Sequence, residues 1–470
     1  MKKPSLLLAL TLVVIPAIMM GQSVCPTTTS GTSTTKLICL VPQVFGPSGL
    51  SLPAGPPQFQ NNFANNSLAP LNSAIARQSI LLPLVSPSSG ITYSWDPSVK
   101  VFAPTTDSFG PIYGERADTI GKNRLFLGVS YQYFALSSMD GTSLKILPEV
   151  FTQPDMTISV NNVNESCSTA GTAARGSNVG DCAFIRDVVK VNNRIDLKVN
   201  QVVAFMTFGL TNRIDLSVAI PIEDIRMGIV SKATVVDNSN SGFHAFLCGQ
   251  NTCPNQSFTS SGHASGIGDI TIRAKGTAWK GERAALAIGT DIRIPTGDSL
   301  NFLGSGAAGV KPFVVWSYRA RVAPHFGAGF ESNGSSQVAG DISTGARERL
   351  AGQFTYAAGA DVWLNKRITV AFDLVGQLVF QGQRLSVGKF TELGACKDPY
   401  PDCVDTNIAP PNTDNNLTSA TGNFNVLNAS VGLKAKLASN LMFTGNVVFK
   451  TNDSGLRSKA IPMGELSYTF

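Results

Sequence analysis

Three histidines stand in the chain, His244, His263 and His325, and their spacing forms no metal-binding set. Ser265 follows His263 by two residues beside a strand start, which could serve nucleophilic chemistry in a barrel hydrolase. No supporting Asn or acid pattern accompanies the pair, and a loop histidine is ordinarily just solvated. Gly304-Ser305-Gly306 belongs to a glycine-rich loop, because the full G-x-S-x-G elbow is absent. The chain also lacks a Walker loop and a dinucleotide fingerprint. No enzymatic activity, catalytic residue, metal or cofactor is expected.

The more informative chemistry lies in charged residues set at alternate positions among apolar ones. Arg273, Lys275, Arg293, Lys311 and Arg321, with Asp215, Glu223, Asp291 and Asp373, could form an eyelet, since rings of charge select ions and polar solutes. Lys198 and Asp269 complete the pore-lining candidates. Counting back from a turn at Lys280–Glu282 places Asp269 opposite Arg293 and Thr271 opposite Asp291, with Arg273 diagonal to Asp291. A turn near Leu210–Thr211 places Lys198 opposite Glu223. Cross-strand pairs of this kind contribute roughly 0.2–1 kcal/mol each, so they equally suit a wall that is merely filled and fixed. The signs nearly balance, which predicts weak ionic selectivity.

Positioning such residues requires strands with two unlike faces. From Asn123 onward apolar residues recur with period two. In "NRLFLGVSYQYF", Leu125, Leu127, Val129, Tyr131 and Tyr133 oppose Phe126, Gly128, Ser130 and Gln132. In "RIDLKVN", Ile195, Leu197 and Val199 oppose Asp196, Lys198 and Asn200. In "RIDLSVAIPIE", Ile214 to Ile222 oppose Asp215, Ser217, Ala219 and Glu223. About twelve such segments occur, many near the ~9–11 residues that cross a bilayer as a tilted strand. Tight turns near 210–212, 280–282, 317–319, 365–366 and 438–440 alternate with loops near 136–192, 231–265, 296–308, 333–349, 385–421 and 452–457. That alternation puts every turn on one side and every loop on the other, as in outer-membrane barrels. A soluble sandwich would carry more Lys, Glu and Thr on one face.

Bulk composition agrees. Charged residues make up 14% of the 470, below the roughly 25% of soluble domains. No internal stretch is apolar enough for a spanning helix. The net charge of +6 is dispersed, so no nucleic-acid partner is expected. Lys2, Lys3 and the apolar run Leu6–Met20 read as a signal peptide over 1–23. Val24 before Cys25 disfavours lipidation. The eight cysteines form sequence-local couples, Cys25 with Cys39, Cys167 with Cys182, Cys248 with Cys253, and Cys396 with Cys403. Each couple sits in a polar segment, which points to disulfides and an oxidising compartment. Residues 24–114 are read as a flexible periplasmic extension or a plug, since "PSGLSLPAGPPQFQNNFANNS" buries little apolar surface.

The chain ends "GELSYTF", with Leu466, Tyr468 and Phe470 on one face, resembling the C-terminal assembly signal of bacterial outer-membrane barrels. Further stretches resemble the outer-membrane porin family associated with the meta-pathway of phenol degradation. They are "ERADTIGKNRLFLGVSYQYF" at 115–134, "FGLTNRIDLSVAIPI" at 208–222, "GIGDITIRAK" at 266–275 and "IGTDIRIPTGDSLNFLGSGAAGVKPFVV" at 288–315. The resemblance covers roughly Glu115 to Phe470. It implies a transport channel, sometimes for aromatic or hydrophobic compounds, and defines no catalytic residues. Its Pro295–Ala307 loop could fold inward as a constriction or remain a surface turn.

The sequence therefore predicts an all-β protein, a transmembrane antiparallel up-and-down barrel of about 12 strands over 115–470, exported to a bacterial outer membrane. Its expected partners are outer-membrane lipid, the barrel-assembly machinery and a small-molecule solute. The leading expectation is a passive channel. The alternatives are a surface structural or adhesive barrel that binds through stapled loops, and a hydrolase.

Overall fold

A computed structural model describes residues 36–46, 108–152, 186–240, 244–341, 344–397, 408–438 and 440–470, with short pieces between 25 and 104 and at 157–166. Twelve long antiparallel strands close into one barrel. In chain order they are β1 (Leu125–Met139), β2 (Val188–Gly209), β3 (Ile214–Val236), β4 (Ile270–Lys280), β5 (Ala284–Ile294) and β6 (Gly309–Tyr318). There follow β7 (Val322–Asn333), β8 (Gln353–Asn365), β9 (Ile368–Thr391), β10 (Thr413–Lys436), β11 (Leu441–Lys450) and β12 (Ala460–Thr469). Each strand pairs with its sequence neighbour, and β12 returns to β1 with Leu466 opposite Val129. The Phe470 N–H donates to the Leu125 carbonyl and seals the seam. Closure leaves these strands no sheet edge, which is what a β-structure needs in lipid.

The strand ends separate into two rims. One carries the tight turns, where Leu210 and Thr211 donate to Ile214 and Gly281 donates to Ala284. The opposite rim carries the long connections. Several expected loops are shorter than the sequence suggests, because β2, β3, β9 and β10 run on for 22 to 24 residues. The strand Asn255–Ile267 prolongs β4 upward against β3. Much of 231–265 and 385–421 is therefore strand, continued by inter-strand hydrogen bonds above the bilayer-sized band.

Side-chain parity is constant along these strands, but polarity is not. In the turn-side tier the outward residues are apolar, including Val129, Phe208, Leu216, Ile288, Phe326, Phe372 and Leu466. Many inward ones are polar, including Gln132, Thr207, Asp215, Asp291, Asp361 and Glu465, beside a smaller apolar set such as Phe126, Val203 and Phe205. In the loop-side tier the pattern inverts. Ile195, Leu197, Val199, Ile225, Met227 and Ile229 point inward and join one apolar core with Leu37, Ile38, Val41, Val44 and Phe45. Asn192, Arg194, Asp196, Lys198 and Arg226 point outward. A band exposed to lipid must be apolar outside, whereas walls standing in water bury their apolar face.

The Pro295–Ala307 loop turns inward across this tier. Asp298 caps the short turn Ser299–Asn301 by accepting from Leu300, and Lys36 pairs with it at 2.5 Å. Phe302, Leu303 and Ala307 are buried in the same apolar core. Asp269 holds the base of the loop through the backbone N–H groups of Gly297 and Ser305. A Cβ on Gly304 would lie 2.3 Å from Asp269 Oδ1 and 2.9 Å from Gly297 Cα, so a side chain there would have to displace the carboxylate that holds the loop.

Candidate functional site

Residues 108–121 do not belong to the wall. They run through the turn-side lumen and bond to strands far away in sequence. Phe109 N–H donates to Thr369, and Ile112 and Tyr113 both donate to Asp373 Oδ2, at 3.3 and 3.1 Å. Ala117 N–H donates to Ser317, while Thr277 and Lys275 donate to the carbonyls of Ala117 and Arg116. Near the turns, Ile120 N–H donates to Asp215 and Arg319 grips Asp118 at 2.5 Å. The backbone of this strap thus finds its partners in wall side chains, as a buried non-sheet segment must. A Cβ on Gly209 would come within 1.7 Å of the Gly121 carbonyl oxygen, so wall and strap meet at a glycine.

Two ionic clusters face the strap. In the first, Arg273 binds Asp291 with both prongs, at 2.6 and 2.8 Å, and reaches Glu115 of the strap at 2.9 Å. Lys311 binds the same Asp291 at 2.8 Å, and Lys275 approaches Glu115 at 3.4 Å. Arg293 extends the cluster to Glu331 at 2.6 Å, with Asp269 at 3.6 Å. In the second cluster Asp361 accepts from Arg116 at 2.6 Å and from Ser108, and His325 Nδ1 lies 3.5 Å away. The His325 Nε2 stands 2.6 Å from Asp373 Oδ1. Gly114 and Gly359 leave room for this pair, since a Cβ on either would press within 3 Å of both side chains.

Between the strap and β3–β9 lies a cavity of about 240 Å³. Arg273, Arg293 and Lys311 line it beside Asp291, Glu115 and Glu331, with Tyr113, Phe313 and Tyr356 as aromatic wall. The Arg273 guanidinium also rests over the Phe313 ring at 4.9 Å.

Asp215, Glu223, Asp269, Arg273, Lys275, Asp291, Arg293, Lys311 and Asp373 all sit on the inner side. Lys198 does not. It points outward, pairs with Asp196 and stands opposite Arg226, not Glu223. Arg321 lies exposed in the turn between β6 and β7. The expected register of β4 and β5 was two residues out. Thr271 faces Arg293 and Arg273 faces Asp291, because the hairpin turns about Glu282–Arg283, with Lys280 opposite Ala285, and the one-residue bulge between Thr277 and Trp279 takes back only part of that slip. Glu223 instead accepts from Gln201 at 2.8 Å. The residues that sequence reasoning missed are Glu115, Arg116, Glu331, His325 and Asp361. Only the charge-rich start of "ERADTIGKNRLFLGV" could have drawn attention to the strap.

His263 and Ser265 face outward on the strand beyond β4, and Ser265 donates to Asp224 at 2.7 Å, not to His263. Ser305 is buried and bonded to Asp269. Cys25 bonds Cys39 within the inner core, and Cys248 bonds Cys253 in a small loop-side hairpin of its own, Phe246–Cys248 with Asn251–Cys253. Cys396 is disulfide-bonded. Cys167, Cys182 and Cys403 lie outside the described residues, as does 1–23.

Over the loop-side mouth the tips of two long hairpins meet. Lys190 of β2 binds Glu392 and Asp414 at 2.8 and 2.9 Å, and Asn238 donates to Glu392. Asp187 accepts from Ser239 and contacts His244 at 2.6 Å, with burial raising its carboxyl against those bonds. Nearby, burial pushes the Glu149 carboxyl up to about 8 against a hydrogen bond from Asn193.

Residues 185–387 match the family described as "Putative MetA-pathway of phenol degradation". The resemblance read from the sequence therefore holds, and the match runs from just before β2 into β9. None of the curated proteins matches significantly. Among solved structures, an outer membrane channel from Pseudomonas putida F1 aligns at 12% identity over 75% of this chain and 98% of that one, with a TM-score of 0.42. A FadL homologue from Pseudomonas aeruginosa aligns at 8% identity over 81% and 94%, with a TM-score of 0.30. A NanC porin aligns at 9% identity over 57% and 93%, with a TM-score of 0.31. Likeness at this level carries no functional argument; the barrel stands on its own strand pairing.

Proposed function

We propose that this chain is a bacterial outer-membrane channel for small uncharged solutes, aromatic or apolar ones among them, held closed here by the strap 108–121. One observation carries the reading: a closed barrel with an apolar belt encloses a charged lumen in which a separate segment fills the passage. Barrels of eight strands are filled by their own side chains and those of sixteen hold water, so twelve strands leave space for an occupant. Here the occupants are the strap on the turn side and, on the loop side, 36–46 with the inward loop 295–307, and removing 24–121 would take away all but that loop.

The charge pattern supports uncharged cargo. Arg273, Lys275, Arg293 and Lys311 meet Glu115, Asp269, Asp291 and Glu331 in equal number. An entering ion would have to displace an existing partner and strand a charge in a poorly solvated place. A neutral ring compound loses only water. Tyr113, Phe313 and Tyr356 offer it apolar contact, and a cavity of about 240 Å³ suits a single-ring molecule. The match to a family described by phenol degradation supports the same solute class.

The test is conductance of the refolded protein in a planar bilayer, with and without residues 24–121. Steady current from the shortened chain and near silence from the full one is expected. Silence from both, in protein that a gel shift shows to be folded, favours a surface-binding barrel. The exposed Cys248–Cys253 hairpin, with Leu247 52% exposed, is the observation that favours that second reading.

A further inference from the structure

Lys198 belongs to a different arrangement from the one its sequence suggests. On the outer wall the inter-strand register sets Lys198 of β2 opposite Arg226 of β3, and Arg226 opposite His263 of the adjoining strand Asn255–Ile267. Neighbouring strands stand about 4.8 Å apart, so these three side chains project from a stretch of roughly 10 Å. Arg194 and Lys232 stand higher on the same outward face. Four arginine and lysine side chains therefore meet two carboxylates, Asp196 and Asp224, which each hold one of them at 3.2 Å. The side chains of Arg194 and Lys232 have no hydrogen-bond or ion-pair partner among the described residues. The Arg226 side chain is 70% exposed and that of Lys198 46%.

The patch is placed just above the apolar belt. Two positions along each strand below the cationic row stand Asn200, Asp224 and Ser265, and below these Val202, Ile222 and Ile267 face outward. Ile222 and Ile267 are exposed, and Tyr131 sits beside them with its hydroxyl donating to Asn200 at 2.8 Å. Apolar wall, then a tyrosine, then cations is the order of chemistry met on passing from acyl chains through the interface to headgroups. It occurs on the loop-side rim, the outer face of an outer-membrane barrel.

We propose that Lys198, Arg226 and His263, with Arg194 and Lys232 behind them, bind the phosphate of a phosphorylated outer-leaflet glycolipid whose acyl chains lie against Val202, Ile222 and Ile267. This rests on the reading that the barrel is embedded in an outer membrane. A second copy of the chain is not the occupant, because the patch would face its own positive charge. Arginine and lysine beside anionic headgroups gain most where the phosphate is already delivered by the bilayer.

The experiment measures binding of bisphosphorylated lipid A to the full-length protein in detergent micelles, by native mass spectrometry. The probe is compared with the same lipid stripped of phosphate, and with inorganic phosphate as competitor. The double variant Lys198→Gln/Arg226→Gln should raise the half-saturating concentration about thirtyfold. Lys122→Gln/Arg321→Gln at the opposite rim should leave it unchanged. Equal binding by wild type and the Lys198/Arg226 variant overturns the proposal, as does equal binding of the dephosphorylated lipid. Displacement by inorganic phosphate at the lipid's own concentration also overturns it, because a lipid site gains from the acyl chains. Planar-bilayer conductance should not move in these variants, since neither side chain enters the lumen. Failure of the wild type to insert into vesicles would instead remove the embedding on which the proposal depends.

Discussion

Asp361→Ala should release the strap. Asp361 is buried in the wall of β8 and accepts from two groups of the strap, Arg116 at 2.6 Å and the Ser108 hydroxyl. The Arg116 side chain is only 6% exposed, so truncating its partner leaves a guanidinium stranded in the lumen. Breaking a buried ion pair from one side costs about 3–5 kcal/mol. Most of that cost falls on the docked strap, since the wall keeps its strand bonds and His325 keeps Asp373, and an undocked Arg116 can return to water. The ratio of closed to open forms should therefore fall by roughly two to three and a half orders of magnitude. In a chain lacking 24–107, which removes the loop-side filling by 36–46, single-channel recording reads this as longer dwell in the conducting state, at the same unit conductance as the chain lacking 24–121. Gel shift confirms that the barrel is folded. The reasoning is refuted if Asp361→Ala records match wild type while the truncated chain conducts freely, because the strap would then be held by something other than this pair.

Arg273→Met leaves Asp291 and Glu115 short of a cation, so the lumen should become cation-selective, read as a shifted reversal potential across a tenfold KCl gradient. An unmoved reversal potential would place this cluster off the conduction path. Glu149→Gln should flatten the pH dependence of thermal stability. The folded carboxyl is raised from 4.5 to about 8, so its contribution is full below pH 4.5 and is lost as pH rises through 8. Melting scans of the two proteins should diverge over that window, and parallel curves would sink the assignment. Cys25→Ser removes a bond spanning 14 residues, worth about 3 kcal/mol in the chain-entropy model. Trypsin should then cut faster after Lys36, whose side chain is 37% exposed; an unchanged rate would show that the apolar contacts of Leu37 and Ile38 hold the segment unaided.

Local pattern determined the architecture. Strict alternation such as Leu125 to Tyr133 dictates a two-faced strand, and alternating short and long connections dictate hairpins whose turns share one rim. Both properties are carried by residues within one strand or one turn, so no distant contact is needed to read them. The terminal Leu466, Tyr468 and Phe470 belong to the same class of local signal.

Tertiary structure decided where polarity points and what fills the lumen. "RIDLKVN" and "RIDLSVAIPIE" share their opening residues and their alternation, yet Lys198 faces outward and Asp215 inward. The difference is height along the barrel, because water bathes one outer wall and lipid the other. The β4–β5 hairpin turns about Glu282–Arg283 and carries a one-residue bulge at Thr277 and Trp279, which together bring Arg273 onto Asp291, a register that counting from Lys280–Glu282 could not foresee. The strap lay further out of reach. Its partners Asp361, Asp373, Ser317 and Asp215 stand roughly a hundred to 260 residues away in sequence. A segment with no periodicity of its own takes its path from bonds offered by a closed wall, and that wall exists only once every strand has paired.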